Sequence, residues 1–249
     1  MKTVAAIKLG LCSSVFSTAV LASVCFLVVW SYWYFEFDAD CAVHDCKCIL
    51  FGTSFAGGVF VGGQLYRCRY VWYSLTVSAS FAALACIAYG LGILCSVGTA
   101  RQRRRSYDQA PTMTDDDITR KSSQVSKSKI GLVIFSILMA VNTMIASIIL
   151  TNGYISTCQQ YVHRVNSFLL PTGKMVDLIS NRLSCETIYD FLDYLQPPSH
   201  EATLELIRQH RPNPRNDIIN TWNWLTTSII MSWLNTILWV LLPVTFYFL

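Results

Sequence analysis

Residues 130–162 read IGLVIFSILMAVNTMIASIILTNGYISTCQQYV, and no residue in that run carries a charge. A helix crosses the hydrocarbon core of a bilayer with about 20 apolar residues, so this run spans with room for its interfacial ends. Three further uncharged runs match it: Leu9 to Phe35, Tyr70 to Ala100 and Ile218 to Leu249. The sequence therefore predicts an all-α membrane protein of four transmembrane helices, at about residues 9–33, 71–98, 130–154 and 222–247. Residues 1–249 make a single membrane domain, with connections at 36–69, 101–129 and 155–217.

Composition supports the span count. The chain is 53% hydrophobic and only 14% charged, with a mean hydropathy of +0.42, too apolar for an ordinary soluble domain. The net charge of +4 is unevenly placed. Lys2, Lys8 and residues 101–129 hold ten of the nineteen basic residues against four acids, Asp108 and Asp115 to Asp117. Arg101, Arg103, Arg104 and Arg105 directly follow the second span, and basic residues near span ends stay on the cytoplasmic side. Residues 101–129 are thus expected in the cytoplasm with both termini, and the connections 36–69 and 155–217 are expected to be exoplasmic. Tyr32, Trp33, Tyr34, Tyr70, Trp72, Tyr73, Trp222 and Trp224 gather at the expected outer ends, where amphipathic rings settle at headgroup depth. The membrane is that of the cell surface or the secretory pathway, and the basic excess is no sign of nucleic-acid binding.

Two stretches compete with this plan. Lys2 and Lys8 before an apolar run, with Ala22 and Ser23 near its end, resemble a secretory signal peptide, but a 27-residue uncharged run favours a retained span. Cys48 to Tyr66 is also uncharged, yet Gly52, Gly57, Gly58, Gly62 and Gly63 make a poor helix, each glycine costing about 1 kcal/mol relative to Ala. It reads as an apolar hairpin or a membrane-hugging loop.

Cys41, Cys46, Cys48, Cys68, Cys158 and Cys185 fall in the exoplasmic connections, while Cys12, Cys25, Cys86 and Cys95 lie in or at the ends of spans. An even number facing an oxidising compartment reads as disulfides, and six cysteines allow 15 connectivities. Cys41, His44, Cys46 and Cys48 would suit zinc only if reduced. Cys46-Lys47-Cys48 would suit a redox pair, but no substrate cleft accompanies it. His163, His200 and His210 stand at no spacing that builds a catalytic group. No Asn-x-Ser/Thr sequon occurs.

The second exoplasmic connection is long enough to fold. Apolar residues at Val176, Ile179, Leu183, Ile188, Phe191, Leu192 and Leu195 predict a helix, and Ser199 after Pro197-Pro198 predicts a second, shorter one through Leu204 and Ile207. In the cytoplasmic connection, Arg103 to Arg105 precede Ser106, a candidate phosphorylation site. The same basic residues, Arg101 to Arg105, are expected to touch anionic lipid from a solvated linker.

No charge lies inside any span, which argues against a pump, an ion-coupled transporter or a voltage sensor. Ser78, Ala82, Cys86 and Gly90 recur at four-residue spacing on the second span, and Ser14, Thr18 and Ala22 do so on the first. Small residues at this spacing let helix backbones approach closely, and such stripes read as packing seams. Asn142 and Asn235 are the strongly polar side chains deep in the third and fourth spans, at similar depth by residue count. An amide there needs a partner. That partner is the other amide across the helices, the helix's own backbone or another protein.

Cys48-Ile49-Leu50-Phe51-Gly52, Cys68-Arg69-Tyr70, Cys158, Ser184-Cys185-Glu186, Ser232-Trp233-Leu234-Asn235 and Leu238-Trp239 together resemble the transmembrane protein 179 family. The resemblance implies a four-span protein with paired outer cysteines and no assigned enzymatic chemistry. It implies Cys48 with Cys68 and Cys158 with Cys185, leaving Cys41 and Cys46 as an additional local pair. Cys41, Cys46, the long basic middle connection and the enlarged second outer connection depart from the family pattern.

With no catalytic residue, cofactor site or metal site in view, the expected function is non-enzymatic. The chain reads as an accessory or organising subunit that associates laterally, within the lipid bilayer, with another membrane protein. A small pore or carrier for a neutral or lipid-like solute is the alternative, and a luminal thiol oxidoreductase is a third reading.

Overall fold

The computed structural model of the chain describes residues 2–36, 46–54, 60–103, 115–169, 184–189 and 219–248. Four long helices carry the architecture: α1 (Lys2–Glu36), α2 (Leu65–Arg103), α3 (Asp115–Leu169) and α4 (Thr221–Phe248). Each contains a stretch long and apolar enough to cross a membrane, Ala6–Tyr34, Leu65–Leu91, Ile130–His163 and Thr221–Thr245.

The helices overrun the expected spans. The 55 residues of α3 extend over about 80 Å at about 1.5 Å per residue, against a hydrocarbon core of about 30 Å. Residues 115–129 and 155–169 are therefore helix and not loop, and α2 begins at Leu65. Once a long apolar helix has nucleated, each further residue adds a hydrogen bond at little entropic cost, so contiguous polar segments extend it. Asn220 stops the α4 backbone at the other end, its Oδ1 accepting from the Asn223 N–H at 2.9 Å as an N-cap.

The glycine-rich stretch before α2 is a hairpin. Strands β1 (Cys48–Ser54) and β2 (Phe60–Gly63) pair antiparallel, with Cys48 opposite Gly63, Thr53 opposite Val61 and Ser54 opposite Phe60. Between the first two pairs β1 advances five residues while β2 advances two, so β1 bulges there. Phe51 sits in the bulge at φ 60°, a left-handed conformation uncommon for a side chain of its size. A Cβ on Gly62 would strike the Cys46 and Cys48 carbonyls, and one on Gly63 would strike the Leu50 carbonyl. These two glycines allow the close backbone approach that a fifth helix would not need.

The chain forms two compact units, and every helix contributes a segment to each. The first, here the disulfide unit, comprises Leu21–Leu75 and Ile145–Ser232. Its core packs Phe26, Val29 and Trp33 of α1, Ile49 and Leu50 of β1, Val71 and Leu75 of α2, Leu150 of α3 and Leu225 of α4. The second, the cavity unit, comprises Met1–Val20, Thr76–Met144 and Trp233–Leu249, with a core of Cys12, Val15, Ala82, Met139, Ala140, Trp239 and Leu242.

Candidate functional site

In the disulfide unit, side chains of α1, α2 and α3 hold the hairpin in place. Cys48 of β1 is bonded to Cys68 of α2, with their Cα atoms 5.7 Å apart. Trp30 Nε1 of α1 donates to the Lys47 carbonyl at 3.3 Å. On α3, the Thr157 hydroxyl accepts from the Gly52 N–H at 3.1 Å and directs its proton to the carbonyls of Ile49 and Gly153, both at 2.9 Å. This single hydroxyl serves two backbone groups of the bulged stretch, the Gly52 N–H and the Ile49 carbonyl. The Phe51 ring lies under the Arg67 guanidinium, 4.2 Å from its centroid, and Lys47 stands over Tyr34 at 5.0 Å. Trp30 and Trp72 lie beside this surface with centroids 6.1 Å apart.

Residues 184–189 pack onto the same unit. Cys158 is bonded to Cys185, with their Cα atoms 5.6 Å apart. A helical turn over residues 185–189 starts after Ser184, whose Oγ accepts from the Thr187 N–H at 3.2 Å. Of the helix expected over Val176 to Leu195, the described residues hold this turn, which starts after Ser184 because the captured N–H caps it there. The rest of that segment, and the helix expected after Ser199, lie outside the described residues. Ile188 and Tyr189 are buried, and Tyr189 stacks on Tyr154 at 5.1 Å while its hydroxyl donates to the Tyr154 carbonyl.

Polar groups tie the helices to one another. Within the disulfide unit, Trp33 Nε1 donates to Thr221 Oγ1 at 2.9 Å, the Ser228 hydroxyl donates to the Ala22 carbonyl at 2.9 Å, and the hydroxyls of Ser147 and Ser232 pair. Within the cavity unit, the Ser78 hydroxyl of α2 accepts from Trp239 Nε1 at 2.8 Å and from Asn235 Nδ2 at 3.1 Å, and turns its proton toward Asn235 Oδ1 at 3.5 Å. Lipid tails give no hydrophobic drive for helix association, so such bonds and close packing carry it. Asn235 and Trp239 stand four residues apart and so share one face of α4.

The expected packing residues separate on this evidence. Ser78 and Ala82 are buried, Cys86 is half-buried, and nothing lies within 4 Å of a Cβ built on Gly90. Cys86 meets Cys12 of α1, so the stripe is a seam over its first three positions and not at Gly90. On α1, the Ser14 and Thr18 hydroxyls turn back to their own helix at the Gly10 and Ser14 carbonyls. Asn235 finds Ser78, a partner that depth alone does not select because it does not fix which way a side chain points around the helix. Asn142 is half-buried on α3.

Cysteine chemistry is constrained in the same way. Cys46 and Cys48 are both disulfide-bonded, Cys48 to Cys68, so the Cys46-Lys47-Cys48 pair is not a free dithiol and Cys48 is not an available metal ligand. Cys41 and His44 lie outside the described residues, as do Arg104, Arg105, Ser106, His200 and His210. Cys12, Cys25 and Cys86 are free thiols, the first two buried. Among the described residues no three His, Cys, Asp or Glu side chains gather as a metal site. His163 is exposed.

Sequence reasoning did not single out Thr157, Gly153 or Phe51. Gly153 is one of two glycines in an otherwise helix-compatible span, a signal for close approach. A Cβ there would meet Leu50 Cβ at 2.7 Å. Comparison of the chain with protein-family models, with curated proteins and with solved structures returns no match.

Proposed function

We propose that the chain is a non-enzymatic accessory or organising subunit that associates laterally with another membrane protein. The observation that supports this is the disposition of its polar groups. The hydroxyl, amide and indole groups of Ser78, Asn235 and Trp239, and the serines of the disulfide unit, are spent on internal helix contacts. Leu84, Ile87, Ile137, Leu138, Ile230 and Ile237 are exposed on the membrane-spanning stretches. At the same time two disulfides and Thr157 fix a hairpin and a helical turn into a defined surface, which suits recognition more than turnover.

On this reading the hairpin face is exoplasmic and both termini are cytoplasmic, with Arg101 to Arg105 against anionic lipid and Ser106 open to phosphorylation. Added phosphate there would oppose the lipid attraction. Kinship with the transmembrane protein 179 family is part of the same proposal and rests on the cysteine pattern and on Ser232 to Trp239. The experiment is purification of the full chain in mild detergent, followed by quantification of co-purifying membrane proteins. A stoichiometric partner lost on Thr157→Val, with both disulfides still formed, is the expected result. A chain that is monomeric under every mild condition, or a partner insensitive to the hairpin, overturns the reading.

A further inference from the structure

The cavity unit encloses a space of about 60 Å³ lined by residues of all four helices, among them Cys12 of α1, Ala82 and Ala85 of α2, Phe135 of α3 and Trp239 of α4. Its origin lies in the two alanines, which are too small to fill the gap between their neighbours. Water has little to hold it there. Trp239 spends its indole N–H on Ser78, Ser136 spends its hydroxyl on the Leu132 carbonyl at 2.9 Å, the Cys12 thiol meets Cys86, and Tyr89 has an interaction of its own. A buried water needs two to four polar partners, whereas apolar cavities stay dry and take apolar guests.

The walls also show where a guest would enter. Phe81 and Leu132 line the cavity and are 39% and 41% exposed on the surface. Both belong to membrane-spanning stretches, Leu65–Leu91 and Ile130–His163. A guest passing between these two side chains would come from the lipid side of the spans. Phe81 stands edge-on to Phe135, with centroids 4.9 Å apart, so the threshold itself is aromatic. Size selects among apolar guests. A water-sized group needs about 10–15 Å³ of such space, so the cavity takes about four to six of them, enough for the end of a chain.

We propose that this cavity seats the terminal carbons of a phospholipid acyl chain, admitted between Phe81 and Leu132. The seated chain fills the void left by Ala82 and Ala85 and so couples packing of the cavity unit to the surrounding lipid. The proposal is independent of the accessory-subunit reading, and either can fail without the other.

The full chain is reconstituted in phosphatidylcholine vesicles containing a phospholipid with a diazirine at the last carbon of one acyl chain, photolysed and mapped residue by residue. Adducts on the interior residues Val15, Ala82 or Ala85 are expected, together with adducts on the exposed Leu84 and Ile87. Ala85→Phe should remove the interior adducts and leave the exposed ones. Formation of both disulfides reports that the variant has folded, and Ala82→Leu serves if it has not. A lipid with the diazirine near the headgroup provides a test on the unmodified chain, since it should label only exposed residues. Adducts confined to Leu84 and Ile87 with the chain-end probe, or interior adducts unchanged by filling the cavity, overturn the proposal.

Discussion

Gly153 of α3 faces Leu50 of the hairpin so closely that a methyl group placed on it would stand 2.7 Å from the Leu50 Cβ and 3.0 Å from the Phe51 ring. The hairpin is seated on α3 at the one position in that turn with no side chain. Two effects then oppose each other in Gly153→Ala. Alanine favours the helix by about 1 kcal/mol, while overpacking a filled contact costs about 1–3 kcal/mol. Leu50 is fully buried and its Cβ has no flexible end to move aside, so the clash should prevail. Thermal unfolding in detergent is expected to show a lower midpoint for Gly153→Ala and a lower one still for Gly153→Val. An unchanged or raised midpoint would show that the hairpin can shift off α3 freely.

Thr157 lies one turn further along α3 and serves two hairpin backbone groups with one hydroxyl. Thr157→Val keeps the shape and removes the oxygen, leaving the Gly52 N–H and the Ile49 carbonyl buried without it. An unsatisfied buried group costs about 1–3 kcal/mol. Thr157→Ser, which keeps the hydroxyl, should lose much less. Hydrogen exchange at the Gly52 amide is the direct readout: fast in Thr157→Val, slow in the parent and in Thr157→Ser.

The span count was legible because it depends on composition over long windows, and the absence of charge from Ile130 to Val162 needs no knowledge of neighbours. The seating of Leu50 on Gly153 and of Gly52 on Thr157 was not legible. These residues stand about a hundred positions apart, and local periodicity carries no information on which distant segments meet. Depth and direction differ in the same way. Counting residues placed Asn235 near mid-membrane, but its partner depends on rotation about the helix axis, which selected Ser78. The hairpin was foreshadowed by the glycines after Cys48, whereas the bulge at Phe51 left no mark in the sequence.

Cys158 and Cys185 close a loop of sequence separation 27, for which loop entropy gives about 3–4 kcal/mol. Replacing both with serine should lower the unfolding midpoint and expose Tyr189, whose ring is otherwise buried on Tyr154. Peptide mapping without reduction should recover Cys48 linked to Cys68 in the parent and in this variant. A Cys48 to Cys158 peptide in the parent would contradict the pairing outright.

Topology follows from the arginines after the second span. An epitope inserted near Asp115, where α3 begins, is expected to bind antibody only after the membrane is permeabilised. Detection on intact cells would reverse the orientation and move both disulfides to a reducing compartment, where they would not persist.

The Ser78 hydroxyl is fully used, accepting from two donors and offering its proton to Asn235, so its removal touches α4 at two points. Ser78→Ala strands the Trp239 indole N–H and the Asn235 amide together, whereas Asn235→Leu leaves Trp239 its partner and costs the Ser78 proton only its 3.5 Å contact. The serine variant should therefore be the more damaging of the two, although it removes the smaller side chain. Hydrogen bonds in membranes average about 0.6 kcal/mol in double-mutant cycles and reach about 1.7 kcal/mol. A cycle on Ser78→Ala and Asn235→Leu, read by unfolding in mixed micelles, should give a coupling in the upper part of that range, because two groups lose their partner in one of its single variants. The parallel cycle on Asn142→Leu and Asn235→Leu should give a smaller value. A larger coupling between the two asparagines would return the amide pair to the centre of the fold and displace Ser78 from it.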